Sequence, residues 1–333
     1  MRDANALERT ADMLTTALGE QIADALSDPT VIEIMTNPDG RLWIERHGEG
    51  RKDTGSELSP HEVERVIRLV ASHTGRDVTR AAPIISAELP LGGERFEGVL
   101  PPVSEQPCFS IRKPAARIFT LDDYVDEGVM SPQNAIALKL AVLEKENILI
   151  VGGTGSGKTT LANALLAEIA QTGDRVILLE DTRELQCSAP DTVALRTQPG
   201  SVTLSDLVRS TLRLRPDRII VGEVRGGEAL DMLKAWNTGH PGGIATVHAN
   251  SAEAGLFRLE QLVGEVAHTV PYELIAETID CVVFIRRKDG VRQVESILKL
   301  DRQCGDGYVL KPAQAPLREV PSTSSSKPER TKQ

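Results

Sequence analysis

The chain has 333 residues, 40% of them hydrophobic but only 3% aromatic, so any core is aliphatic, and the length suits two domains. Lys plus Arg number 38 against 48 Asp plus Glu, a formal net charge of −10, which argues against a protein that coats nucleic acid through its phosphates. No apolar run approaches the roughly 18 residues of a membrane span. The opening stretch MRDANALERTADML is too polar for a secretory signal. Cys108, Cys187, Cys281 and Cys304 never form C-x-x-C, so neither a zinc ribbon nor a disulfide framework is expected, only free buried thiols in a reducing cytoplasm.

In chain order, residues 5–26 place Leu7, Leu14, Leu18, Ile22 and Leu26 at helical spacing, up to Asp28-Pro29. Val31–Met35 and Leu42–Glu45 predict two strands around the turn Asn37-Pro-Asp-Gly40. Pro60–Thr74 predicts a helix with Val63, Val66, Ile67 and Val70 on one face. Ile84–Pro90 and Arg95–Leu100 predict a hairpin about Gly92-Gly93, and Phe109–Arg112 a further strand. This is an α+β accessory domain over residues 1–118. Residues 114–131 show no clear period and read as a hinge linker.

Ser131-Pro132 then starts a helix, a hydroxyl N-cap before Pro at the first helical position. From here apolar strands alternate with helical patterns: Asn147–Val151, Arg175–Leu179, Thr192–Leu195, Arg218–Gly222, Ile244–His248 and Cys281–Ile285. Such runs describe a largely parallel sheet covered on both faces, over residues 119–320. Residues 321–333 are rich in Ser with scattered Lys and Arg, and are expected to be a disordered tail.

One motif carries chemistry by itself. Gly152-Gly153-Thr154-Gly155-Ser156-Gly157-Lys158-Thr159-Thr160 fits G-x-x-x-x-G-K-[ST], with a strand before it and a helical pattern after it. Its glycines let backbone N–H groups approach phosphates at the positive end of a helix. Lys158 would reach the β- and γ-phosphates, and the Thr159 hydroxyl would bind Mg²⁺. ATP and Mg²⁺ are the expected ligands.

Hydrolysis also needs a metal-organising carboxylate and a group that orients water, and in an open parallel sheet these belong just past the strands' carboxyl ends. Three strands end suitably, at Glu180-Asp-Thr-Arg-Glu184, at Glu223-Val-Arg225 and at His248-Ala-Asn250. No Asp ends the Arg218–Gly222 strand, so Glu223 would take the metal-organising role, through water.

The loop GGTGSGKTT, the box LLEDTREL, RIIVGEVRGGEA and GHPGGIATVHAN follow in the order of the type II/type IV secretion ATPase superfamily, which the chain resembles over about residues 30–310. LPLGGERFEGVLPPV and FSIRKP look like its N-terminal domain, and within the superfamily the chain is most similar to TrbB-type conjugal transfer ATPases. The resemblance implies a RecA-like P-loop NTPase domain after the accessory domain. It also implies a homo-hexamer that hydrolyses ATP at the cytoplasmic face of the inner membrane, docked peripherally to inner-membrane components of a secretion or conjugation apparatus. Glu180 would polarise the attacking water, Glu223 would act through Mg²⁺, and His248 would sense the γ-phosphate. Arg95 and Arg112 would reach the nucleotide from the accessory domain, and Arg209, Arg213 or Arg215 would contact phosphates in cis or across a subunit boundary.

Type II secretion and type IV pilus motors are the alternative. Many carry paired C-x-x-C motifs, and retraction motors an AIRNLV-like segment; neither occurs here. A DNA translocase would lack an aromatic stacking platform at this composition. An ATP-binding scaffold would need neither Glu180 nor Glu223, and a small-molecule kinase would need an acceptor pocket for which there is no signature.

Overall fold

The computed structural model describes residues 12–90, 92–114, 118–198, 200–288, 290–305 and 307–313, the side chains of 302–305 and 307 excepted. The expected tail, 321–333, lies outside them.

The N-terminal helical pattern forms two pieces, α1 (12–18) and α2 (Glu20–Ser27), because Gly19 between them has φ 78°. Six antiparallel strands follow, in spatial order β3-β2-β1-β6-β5-β4: β1 (Val31–Thr36), β2 (Arg41–Arg46), β3 (Gly50–Glu57), β4 (Ile84–Glu88), β5 (Arg95–Val99) and β6 (Cys108–Arg112). Helix α3 (Pro60–His73) starts at a capping box in which Ser59 and Glu62 satisfy each other's backbone N–H. Its apolar stripe, Val63, Val66, Ile67 and Val70, is buried with Ile85, Phe96 and Ile111 of the sheet. The predicted strands and α3 are all present, and β3 is an additional polar edge strand.

The stretch expected to be a linker contains α4 (Leu121–Asp126), capped by Thr120 and Asp123. Leu121, Tyr124 and Met130 are buried in the core of the second sheet and Phe119 packs against it, so from residue 119 onward the stretch belongs to that core.

The second sheet has eight strands in order β14-β13-β12-β7-β11-β10-β8-β9. The six from β12 to β9 run parallel: β7 (Ile148–Val151), β8 (Val176–Glu180), β9 (Thr192–Arg196), β10 (Arg218–Val221), β11 (Ile244–Val247) and β12 (Cys281–Lys288). An antiparallel hairpin, β13 (Val291–Gly305) and β14 (Gly307–Pro312), extends one edge. Alternate residues of each strand enter opposite cores, as period two requires. Ile148, Ile150, Val176 and Leu178 pack under α4, α5 (Pro132–Leu143) and α6 (Lys158–Ile169). Leu149, Val151, Ile177 and Leu179 pack under α7 (Leu204–Thr211), α8 (Glu228–Asn237), α9 (Ala252–Gly264) and α10 (Tyr272–Thr278). The result is an α/β RecA-like P-loop fold with a largely parallel sheet, preceded by a smaller α+β unit.

At the amino ends of the strands a charged cluster is centred on one buried arginine. Arg218, 1% exposed, donates to Asp174 at 2.7 Å and to the Val142 carbonyl at 2.8 Å, and Lys145 pairs with Asp174 at 2.8 Å. Of the cysteines with described side chains, Cys281 is fully buried, its thiol pushed up to about 12 by burial, whereas Cys108 and Cys187 are half-buried. The expectation of uniformly buried thiols fails at Cys108, the first residue of β6, and at Cys187; the side chain of Cys304 is outside the described set.

Candidate active site

The parallel order β7-β11-β10-β8 sets four carboxyl ends side by side, so the loop after β7, His248, Glu223 and Glu180 line one edge. The loop bends as it does for two local reasons. A Cβ at Gly152 would stand 2.3 Å from the Ile285 carbonyl oxygen, and Gly157 has φ 103°, a conformation that L side chains rarely adopt. Gly157 caps α6 without a side-chain hydrogen bond, which leaves the first-turn N–H groups available to an anion.

Lys158 is 7% exposed; its Nζ donates to the Gly153 carbonyl at 3.1 Å and stands 3.3 Å from both ring nitrogens of His248. Burial pulls the ammonium below its ordinary pKa, opposed by Glu223 and Glu184. Burial, then the Lys158 charge, also holds His248 below its ordinary value, so the imidazole is neutral at pH 7.

Glu223 Oε2 accepts from Arg225 Nη2 at 2.5 Å, an interaction that raises the Arg225 pKa. Its Oε1 lies 2.5 Å from His248 Nε2 without hydrogen-bond alignment, and is a buried oxygen with no hydrogen-bond partner among the described residues. Ser156 Oγ in the loop is in the same condition. Such orphaned acceptors are costly in a closed protein and mark a place where a ligand supplies the partner. Glu223, Ser156 and Thr159 offer only hard oxygen donors, the set that suits Mg²⁺.

Glu180, 3% exposed, has a pKa raised by burial, although its Oε1 accepts the backbone N–H of Glu184 at 2.9 Å and of Leu185 at 2.7 Å. It therefore shapes the acidic box as well as facing the cleft edge. The box brings in residues that sequence reading missed. Glu184 accepts from Thr159 Oγ1 at 3.0 Å, and Asn163 of α6 donates to the Glu184 carbonyl at 3.1 Å. Glu184 lies inside the quoted box, but only the fold of the loop shows which of its acids turns toward the phosphate loop.

The N-terminal sheet reaches the same edge. Arg95 of β5 pairs with Glu184, and Arg112 faces it in register on β6, close enough for its charge to weaken proton binding at Lys158. Glu88 of β4 pairs with Arg196 of β9 and accepts the Arg183 backbone N–H at 3.1 Å. Arg209 is tied instead to Asp231 of α8, at 3.2 and 3.1 Å, while Arg213 and Arg215 are exposed beyond α7. The structure thus gathers every predicted site residue from Gly152 to Thr160, together with Glu180, Glu223, His248, Arg95 and Arg112. It leaves Arg209, Arg213 and Arg215 away from the loop residues.

The family described as "Type II/IV secretion system protein" matches residues 16–304. The chain belongs to that family. It is 49% identical over 308 residues to a protein from Sinorhizobium fredii called "Probable conjugal transfer protein TrbB", covering 92% of this chain and 94% of the relative. It is 50% identical over 302 residues to "Conjugal transfer protein TrbB" of Rhizobium radiobacter, covering 90% and 93%. Among solved structures, the ATPase DotB of Legionella pneumophila shares the fold with a TM-score of 0.55 at 21% identity, over 84% of this chain and 79% of that one. A phosphate loop of this build, in the type II/IV secretion family, makes the chain an ATP hydrolase.

Proposed function

We propose that this chain hydrolyses Mg²⁺-bound ATP at the edge between the loop after β7 and Glu223, and that the energy drives a conjugative type IV secretion apparatus. The observation that carries the chemistry is the side-by-side alignment of Lys158, His248, Glu223 and Glu180 on four adjacent strand ends. Thr159 would hold Mg²⁺ directly and Glu223 through water, and the ion would supply charge neutralisation at the phosphates. Loop N–H groups and Lys158 bind the phosphate oxygens; neutral His248 donates its ring N–H to a γ-phosphate oxygen; Glu180, whose burial raises its proton affinity, holds the attacking water and takes its proton. Arg112 adds positive charge when the N-terminal sheet is seated, and Arg95 acts at the same edge through its pair with Glu184.

Residues 1–118 and 119–320 act as two domains hinged before α4, and Glu88, Arg196 and Arg183 fasten them in the closed arrangement. Force follows if ATP and ADP favour different arrangements. The chain works as a homo-hexamer on the cytoplasmic face of the inner membrane, docked on envelope components; among the described residues no helix is long and apolar enough to cross a membrane. The conjugative reading is supported by relatives about half identical over nearly their whole length, both named for conjugal transfer. Direct nucleic-acid binding is weak at most, given the net charge of −10.

The test is genetic and physical together. A donor strain lacking the gene regains plasmid transfer with the wild-type chain but not with Glu223→Gln, and the purified chain with ATP scatters light as six subunits. Transfer restored equally by Glu223→Gln, or a particle that stays monomeric with ATP and with membranes, contradicts the reading.

A further inference from the structure

Glu184 has no part in the chemistry above, yet it is the most connected residue of the acidic box. Its Oε2 accepts the Thr159 hydroxyl proton at 3.0 Å, and its Oε1 pairs with Arg95 Nη1 from the N-terminal sheet. Its backbone N–H is held by Glu180 at 2.9 Å and its carbonyl by Asn163 at 3.1 Å, so the side chain projects from a fixed point.

A hydroxyl has one proton and two lone pairs. With its proton committed to Glu184, Thr159 Oγ1 has both lone pairs left for a cation; without an acceptor there, the proton is free to point at the cation site. We propose that Glu184 is a positioning residue that presents Thr159 Oγ1 as a ligand for a divalent cation. Because Arg95 holds the other oxygen of the same carboxylate, affinity for that cation depends on whether the N-terminal sheet is seated. Arg95 then acts at the phosphates through Glu184 rather than by touching them. This rests on the assignment of Thr159 as a Mg²⁺ ligand. Groups that orient a metal ligand commonly matter about 10–100-fold in metal affinity.

The experiment uses the full chain and a fluorescent non-hydrolysable ATP analogue, so turnover does not enter. Two quantities are read: analogue affinity in EDTA, and the Mg²⁺ concentration that gives half of the metal-dependent gain in affinity. Glu184→Ala raises the Mg²⁺ midpoint about 10-fold or more while the EDTA affinity stays within about two-fold. Arg95→Ala moves the midpoint the same way, and the double variant goes no further than Glu184→Ala alone, the signature of one shared path. Glu184→Gln, which keeps the shape but loses the charge facing Arg95, also raises the midpoint and carries the test if the alanine variant does not fold. An unmoved midpoint in both Glu184 variants overturns the proposal. So does an EDTA affinity that falls as far as the Mg²⁺-loaded one, or effects of Arg95 and Glu184 that multiply. A wild-type chain whose analogue binding ignores Mg²⁺ overturns the Thr159 assignment itself, and the inference with it.

Discussion

Lys158 Nζ stands 3.3 Å from both ring nitrogens of His248, so the loop lysine and the histidine after β11 face one small volume. Both groups lie beside the phosphate loop, and Glu223 Oε1, 2.5 Å from His248 Nε2, is their neighbouring carboxylate. The relationship is electrostatic and measurable. Burial and the Lys158 charge both hold His248 below 6.5, the second removable by mutation. In Lys158→Ala the imidazole pKa therefore rises toward 6.5, read by NMR titration of its ring protons. A value that falls or stays fixed removes the claimed coupling.

Glu223→Gln keeps the shape of the side chain but loses the charge at the orphaned oxygen. Nucleotide affinity should stay within a few-fold of wild type, while turnover falls by about 10²–10³-fold, the size of effect when a group acting mainly in the transition state is removed. Equilibrium binding and single-turnover phosphate release separate the two. Loss of binding equal to the loss of turnover would assign Glu223 to ground-state contact instead.

Gly152→Ala tests the loop by sterics alone. The new Cβ would meet the Ile285 carbonyl at 2.3 Å and Ser156 Oγ at 2.5 Å, and the first of these is backbone that cannot rotate away. The loop must shift, so nucleotide affinity should drop at least about 10-fold, as expected when binding groups move by a fraction of an ångström. Circular dichroism should stay native. Isothermal titration with ADP gives the answer directly.

The charged cluster around buried Arg218, at the other end of the strands, is predicted to be a stability element. Burial opposes the charge on Asp174, but hydrogen bonds from Lys145, Arg218 and Thr172 outweigh it and bring its pKa from 3.8 to about 2. Since the folded value lies below the unfolded one, the stabilisation is full above about pH 4 and is lost as pH falls through about 2, an effect of about 2 kcal/mol. Asp174→Asn leaves Arg218, 1% exposed, without its counter-charge and should cost about 3–5 kcal/mol at pH 7. Urea unfolding of both proteins should show that difference shrinking below pH 4. A pH-independent difference would mean that the carboxylate charge is not what Arg218 requires.

The parallel sheet was legible because its strands are short apolar runs between helical patterns, and the phosphate loop because its chemistry restricts residue type at fixed spacing. Other elements gave weaker signals. Strand β3 reads GRKDTGSE, polar on both faces, and forms because β2 offers it an edge. Helix α4 has six residues, too few for a period, although Thr120 and Asp123 at capping-box spacing could have announced it. The β13–β14 hairpin mixes charged and apolar residues, since one edge of the sheet is wet. In the site, Glu180 ends β8 and Glu223 follows β10, and both could be read from those strands. The turn that carries Glu184 onto Thr159, and the register that sets Arg95 beside it, are tertiary facts without a local pattern.

The most direct test of the account is phosphate release from ATP by the purified chain, with and without Mg²⁺, beside Lys158→Ala. Release is expected to be steady, to require Mg²⁺ and to vanish in the variant, because Lys158 is a buried cation of the phosphate loop. Release by Lys158→Ala at the wild-type rate would contradict it, and would place hydrolysis somewhere other than this loop.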